Sequence, residues 1–91
     1  MPDKIHCAHI LVKTEAEAKI ILERLNKGER FANIAKQVSL CPSAKRGGDL
    51  GNFGRGAMVK EFEIAAFGLG KGETSSSVKT KFGYHIIKRL E

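Results

Sequence analysis

KIHCAHILV, residues 4–12, alternates side chains in the period-two manner of a β-strand. Ile5, Cys7, His9 and Leu11 fall on one face, and His6, Ala8, Ile10 and Val12 fall on the other. Both faces carry apolar residues, so the strand is expected near the middle of a sheet covered on both sides. FGYHIIKRL, residues 82–90, has the same character. His85 and Ile87 share one face of it, and Tyr84, Ile86 and Leu90 share the other. SSSVKT, residues 75–80, reads as a further strand with a polar start, and a very short one is expected around Leu50–Phe53.

The segments between these strands repeat at helical spacing. Thr14 and Glu17 form a capping-box pattern, and Ala18, Ile21, Leu22 and Leu25 follow as an apolar stripe up to a stop at Gly28. Phe31, Ile34, Ala35 and Val38 form a second stripe over Phe31–Ser39, closed by Pro42. A short third helix is expected over Val59–Phe67, with Phe62, Ala65 and Ala66 on one side and Met58 one turn before Phe62. The order strand, helix, helix, short strand, helix, strand, strand is not a βαβ alternation. It predicts an α+β domain with helices packed on an antiparallel sheet.

Composition narrows the function. The chain has 91 residues, which is one small domain with a modest core and no space for a large cofactor cleft. Its net charge of +6 is spread along the chain, without the basic runs or interleaved aromatics of a nucleic-acid platform. No segment approaches the ~20 apolar residues of a membrane span, and the start MPDKIHCAHILVK is too interrupted for a signal peptide. Cys7 and Cys41 stand far apart, with no CxxC, which points to a reducing compartment. A cytoplasmic monomer is expected, with no membrane or obligate nucleic-acid partner.

Few residues remain to carry chemistry. His9 and His85 stand among apolar neighbours in two strands, and each taken alone reads more often as a satisfied core residue. Cys41 opens a loop, residues 41–57, that contains five glycines. With the histidines it raises two readings: a Cys/His nucleophile pair or a His/His/Cys metal site. The first lacks a substrate cleft in so small a chain, and the second lacks local ligand spacing. Met58 and Phe62 would ordinarily be core. Beside a glycine-rich loop they are also placed to line a shallow pocket for an apolar ring.

Five blocks, HILVK (9–13), CPSAKRGGDLGNF (41–53), GAMVKEFEIAAF (56–67), GKGE (70–73) and FGYHIIKRL (82–90), resemble the successive signatures of the parvulins, in order and in register. The resemblance covers almost the whole chain and is to the minimal single-domain form, here residues 1–91. It implies four antiparallel strands surrounded by about four helices, and a peptidyl-prolyl cis/trans isomerase that acts on proline-containing polypeptides, assists folding and needs no cofactor or metal. It further implies that His9 and His85 lie side by side at the sheet centre, with Thr80 in their network and Cys41 at a position held by Cys or Asp. Leu50, Met58 and Phe62 match the proline pocket, and Phe82 matches its rim.

Two departures matter. Lys13 is followed directly by TEAEA, where the phosphate-directed branch carries several Arg or Lys, so the substrate is expected to be unphosphorylated. Thr74 and Ser77 stand where relatives often have an apolar residue and Pro, so a less rigid third strand is expected. Lys45, Arg46 and Arg55 read either as rim charges that attract acidic or extended substrates, or as solvated loop charge. The alternative on the same fold is a proline-peptide binding module without catalysis.

Overall fold

The computed structural model describes residues 4–91; Met1–Asp3, the opening of the N-terminal stretch considered above, lie outside the described residues. Strand β1, Lys4–Val12, pairs antiparallel with β2, Asp49–Gly54, on one side and with β4, Gly83–Arg89, on the other. Strand β3, Val78–Thr80, adds to the far edge of β4, so the sheet order is β2-β1-β4-β3. The two strands whose faces are both apolar are therefore the two central ones, as their composition requires.

Helices α1, Glu15–Asn26, and α2, Phe31–Val38, cover one face, and α3, Lys60–Gly68, lies on the other side. A 3₁₀ turn, Pro42–Arg46, is the fourth helical segment. Its signals were Pro42 at the first turn and Gly47 in the left-handed conformation at its end. Each face has its own core. Ala8, Ile10, Val12 and Ile86 pack on Ala18, Ile21, Phe31 and Ile34, while Ile5, Cys7 and Ile87 pack on Phe53, Phe62 and Ala66.

Local chemistry sets the boundaries. The Thr14 hydroxyl oxygen accepts from the Glu17 amide at 3.2 Å. The Glu17 carboxylate accepts from the Thr14 hydroxyl at 3.2 Å rather than from the Thr14 amide, so the box is closed through the side chain. Helix α2 stops at Val38, where the backbone turns extended at Ser39, and the Ser39 hydroxyl oxygen accepts from the Leu11 amide at 3.0 Å. The third strand is only three residues long. Before it, Ser75 bonds Ile87 with both its amide (2.7 Å, to the carbonyl) and its hydroxyl oxygen (2.9 Å, from the amide). A side chain thus replaces a ladder carbonyl, and the regular strand predicted over 75–80 is shortened.

One close approach ties the loop to the sheet. The β1–β2 register shifts between His6 and Ala8, and the His9 amide donates instead to the Gly48 carbonyl at 2.9 Å. Gly48 has φ +85°, and a Cβ there would run into the His9 carbonyl oxygen. Gly51, at φ +72°, has open space around it. We expect Gly48→Ala to destabilise by roughly 2–4 kcal/mol, from left-handed strain plus overpacking. Gly51→Ala is expected to cost about 1 kcal/mol. Thermal or urea denaturation of the two variants separates the effects, and equal losses would contradict this reading.

Candidate active site

His9 pairs across the ladder with Ile87, and His85 pairs with Leu11. The histidines are therefore diagonal neighbours on one face of the two central strands, within reach of each other. Their rings stack with centroids 5.1 Å apart and planes 18° apart, and Nδ1 lies 2.9 Å from Nδ1. Thr80, at the end of β3, places its Oγ1 2.8 Å from His85 Nε2 and accepts from the Phe82 amide at 3.2 Å. Three strands thus contribute one connected chain of polar groups beneath an apolar helix.

The chain has a direction. We assign the Thr80 hydroxyl hydrogen to His85 Nε2, the one acceptor it faces among the described residues. On that assignment His85 carries its hydrogen on Nδ1 and donates it to His9 Nδ1, and His9 in turn carries its own on Nε2. His9 Nε2 is buried and has no partner among the described residues. Burial, and secondarily the neighbouring His85, push His9 down to about 4, and burial also lowers His85. Both imidazoles are neutral at pH 7.

Phe62, in the first turn of α3, sets its ring edge-on to both histidines, at 5.5 and 5.2 Å between centroids. It is only 2% exposed, yet it floors an open hollow of about 470 Å³. Leu50 from β2, Met58 just before α3, and His9, Cys41, His85 and Phe82 also line this hollow. Met58 lies ahead of the helix rather than on it, and Val59 is the cap. Volume and lining suit one small apolar ring with a stretch of chain around it.

A rotamase family model, described as a PPIC-type PPIase domain, matches residues 9–91. The chain belongs to the PPIC-type PPIase family, the parvulin peptidyl-prolyl cis/trans isomerase domains. It is 58% identical over 86 residues to the foldase protein PrsA of Geobacillus kaustophilus, covering 93% of this chain and 31% of that protein. PrsA from Bacillus subtilis superposes with a TM-score of 0.95 at 48% identity, over 98% of this chain and 35% of that one. NmPin, the parvulin of Nitrosopumilus maritimus, superposes with a TM-score of 0.90 at 51% identity, over 100% of this chain and 99% of that one. The chain spans about a third of the length of the curated PrsA relatives that it matches.

Every residue assigned from the parvulin resemblance falls at this one site, Thr80 through its bond to His85. The three loop cations do not. Arg55 stacks 4.3 Å over Phe67 and lies 3.8 Å from Glu63, Arg46 borders a different hollow, and Lys45 is exposed away from the lining. None of the three lines the hollow, and Lys45 is exposed as solvated loop charge would be. Sequence reasoning missed Leu11, Leu40, Pro42 and Val59, which complete the apolar wall. The available signal was Leu40, a large apolar residue stranded between a helix stop and Cys41-Pro42.

The two rival chemistries lose their geometry. Cys41 makes no hydrogen bond to either imidazole among the described residues, and a neutral His9 cannot hold a thiolate as an imidazolium would. No trio of His, Cys, Asp or Glu among the described residues converges as a metal-ligand set.

The depressed His9 value carries a stability signature. An unfolded histidine takes up a proton near pH 6.5, and folded His9 resists until about 4. Stability is therefore complete above pH 6.5 and falls as the pH drops towards 4, by on the order of 3 kcal/mol. Urea denaturation from pH 7.5 to 4 should show that slope, reduced in a His9→Asn variant; an identical slope in both contradicts the assignment.

Proposed function

We propose that this chain catalyses rotation about unphosphorylated Xaa-Pro bonds in polypeptides and thereby assists their folding. The observation that carries this reading is the hollow itself, in which Leu50, Met58 and Phe62 face a neutral pair of imidazoles. A pyrrolidine ring seats on Phe62 while the residue before it swings through the open mouth.

The chemistry asks little more. The barrier is the roughly 18–20 kcal/mol of amide resonance, and uncatalysed exchange takes tens to hundreds of seconds. A catalyst has only to favour the twisted amide over both planar ends, and an acceleration of ~10⁴ corresponds to about 5.5 kcal/mol. The twisted amide is less charge-separated than the planar one, so an apolar hollow stabilises it selectively. Because no bond is broken lastingly, the histidines need not exchange protons. Their network with Thr80 holds the floor rigid under Phe62. Cys41 acts as a polarisable wall near the substrate carbonyl rather than as a nucleophile, in keeping with Asp at that position elsewhere in the family.

The reading of an unphosphorylated substrate is supported by the β1–α1 connection. Lys13 is its cation, and α1 begins two residues later with Glu15 and Glu17 in its first turn. A dianionic phosphate would meet carboxylates there. A monomeric state is supported by the sheet edges, a three-residue β3 and a β2 with a register shift against β1, which template strand pairing poorly. The free thiols Cys7 and Cys41 support a cytoplasmic setting.

NMR exchange spectroscopy on short Xaa-Pro peptides should show accelerated cis/trans exchange, with no advantage for phosphorylated peptides. Met58→Ala should cut the rate at least tenfold while the fold survives. Phe62 is too buried for a clean alanine test, since removing it costs about 3–5 kcal/mol, so Phe62→Leu is the informative partner and should also slow exchange. Cys41→Asp should keep substantial activity. Binding without exchange enhancement would instead identify a non-catalytic proline-binding module, and a covalent adduct on Cys41 would restore the nucleophile reading.

A further inference from the structure

The sheet face opposite the histidines carries a second open hollow, of about 560 Å³, between the α1–α2 turn and the central strands. Its apolar floor is Ala8, Leu25, Phe31 and Leu90. Arg30, Arg46 and Lys88 stand around that floor, together with Glu29 and Asp49. The two acids are already engaged. Glu29 receives Arg24 through Nε and Nη2 at 2.8–3.1 Å, and Asp49 receives His6 at 2.6 Å and the Gly51 amide at 2.7 Å. The engagement of Asp49 is strong enough to hold its carboxyl below the usual range, first through His6 and then through Gly51. Arg30 and Lys88 have no ion pair among the described residues, and Arg46 makes no close pair but adds a minor Coulombic pull on Asp49.

Free positive charge around an apolar floor selects its occupant. A single small anion would leave most of this volume empty. A planar bilayer cannot reach the floor of a concave site. Single-stranded nucleic acid lacks an exposed ring to stack on, because Phe31 is only 6% exposed. An extended peptide that alternates carboxylates with apolar side chains meets both features at once.

We infer that this groove holds an acidic, amphipathic polypeptide segment. Its carboxylates lie on Arg30, Arg46 and Lys88, and an apolar side chain rests over Leu25 and Leu90. The site is separate from the proline hollow and lies across the sheet from it. The domain measures 32 × 26 × 21 Å, so one polypeptide that occupied both sites would round an edge. At about 3.4 Å per extended residue, the acidic segment and the proline would be separated by on the order of a dozen residues.

The test is an amide-resolved NMR titration of the full chain with a proline-free hexapeptide of four glutamates and two leucines, at low salt. Shifts are expected at Ala8, Gly28, Ala32, Gly47 and Lys88, with Leu50, Met58 and Phe62 unmoved. The R30Q/K88Q double variant should weaken binding at least tenfold, as should 0.5 M salt, while leaving exchange of a short Xaa-Pro peptide unchanged. Arg46→Gln alone should weaken binding to a smaller degree. No shift at the groove, equal binding of a lysine-for-glutamate peptide, or an unaffected double variant overturns the inference. So does a face that responds to phosphatidylglycerol vesicles and not to the peptide. Because the probe contains no proline, none of these outcomes depends on the isomerase reading.

Discussion

The antiparallel pairing of β1 with β4 is the constraint on which the rest depends. Its register sets His9 opposite Ile87 and His85 opposite Leu11. Two imidazoles separated by most of the chain length are thereby forced onto one face at the sheet centre, where water is excluded. Desolvation then determines their protonation: both remain neutral, so a single hydrogen can be shared between Nδ1 atoms without repulsion. A slip of one residue would send one ring to the α1–α2 side and disconnect Thr80 as well.

Around that pair the fold separates two environments with one sheet. The α3 side is apolar and contains the open hollow, with an aromatic run from Phe67 through Phe53 to Phe62 supporting the imidazoles. The opposite side is packed by α1 and α2 but leaves a charged groove at their turn. Cys7 illustrates the contrast: on the α3 face but fully buried, its thiol is pushed up to about 11 by burial and is chemically inert. Cys41, half-buried at the hollow, remains within reach of a substrate. The exposed Leu40 and Phe82, 54% and 59% accessible, both border the same hollow, as expected where an apolar partner is to be received.

Much of this was legible in the residues. Strict alternation in β1 and β4 gave both faces correctly, because period two leaves no freedom once the core is defined. The helical stripes of α1 and α2 were equally plain. What periodicity could not show was which strands neighbour each other, and so whether His9 and His85 meet. That pairing came from the family blocks, since non-local register has no local signature. The 3₁₀ turn was hidden in a glycine-rich stretch whose composition reads as loop. The shortened β3 was missed because Ser75 substitutes its hydroxyl for a backbone group. Arg46 was read either as rim charge or as loop charge, and it borders the hollow at the α1–α2 turn, a position that loop composition does not encode.

The central claim is a neutral, directional imidazole pair beneath an apolar hollow. Long-range ¹⁵N–¹H correlation of the histidine ring nitrogens at pH 7 tests it most directly. The account predicts His85 with its hydrogen on Nδ1, His9 with its hydrogen on Nε2, and both rings uncharged. An imidazolium at either position, or the reverse pair of tautomers, would contradict it.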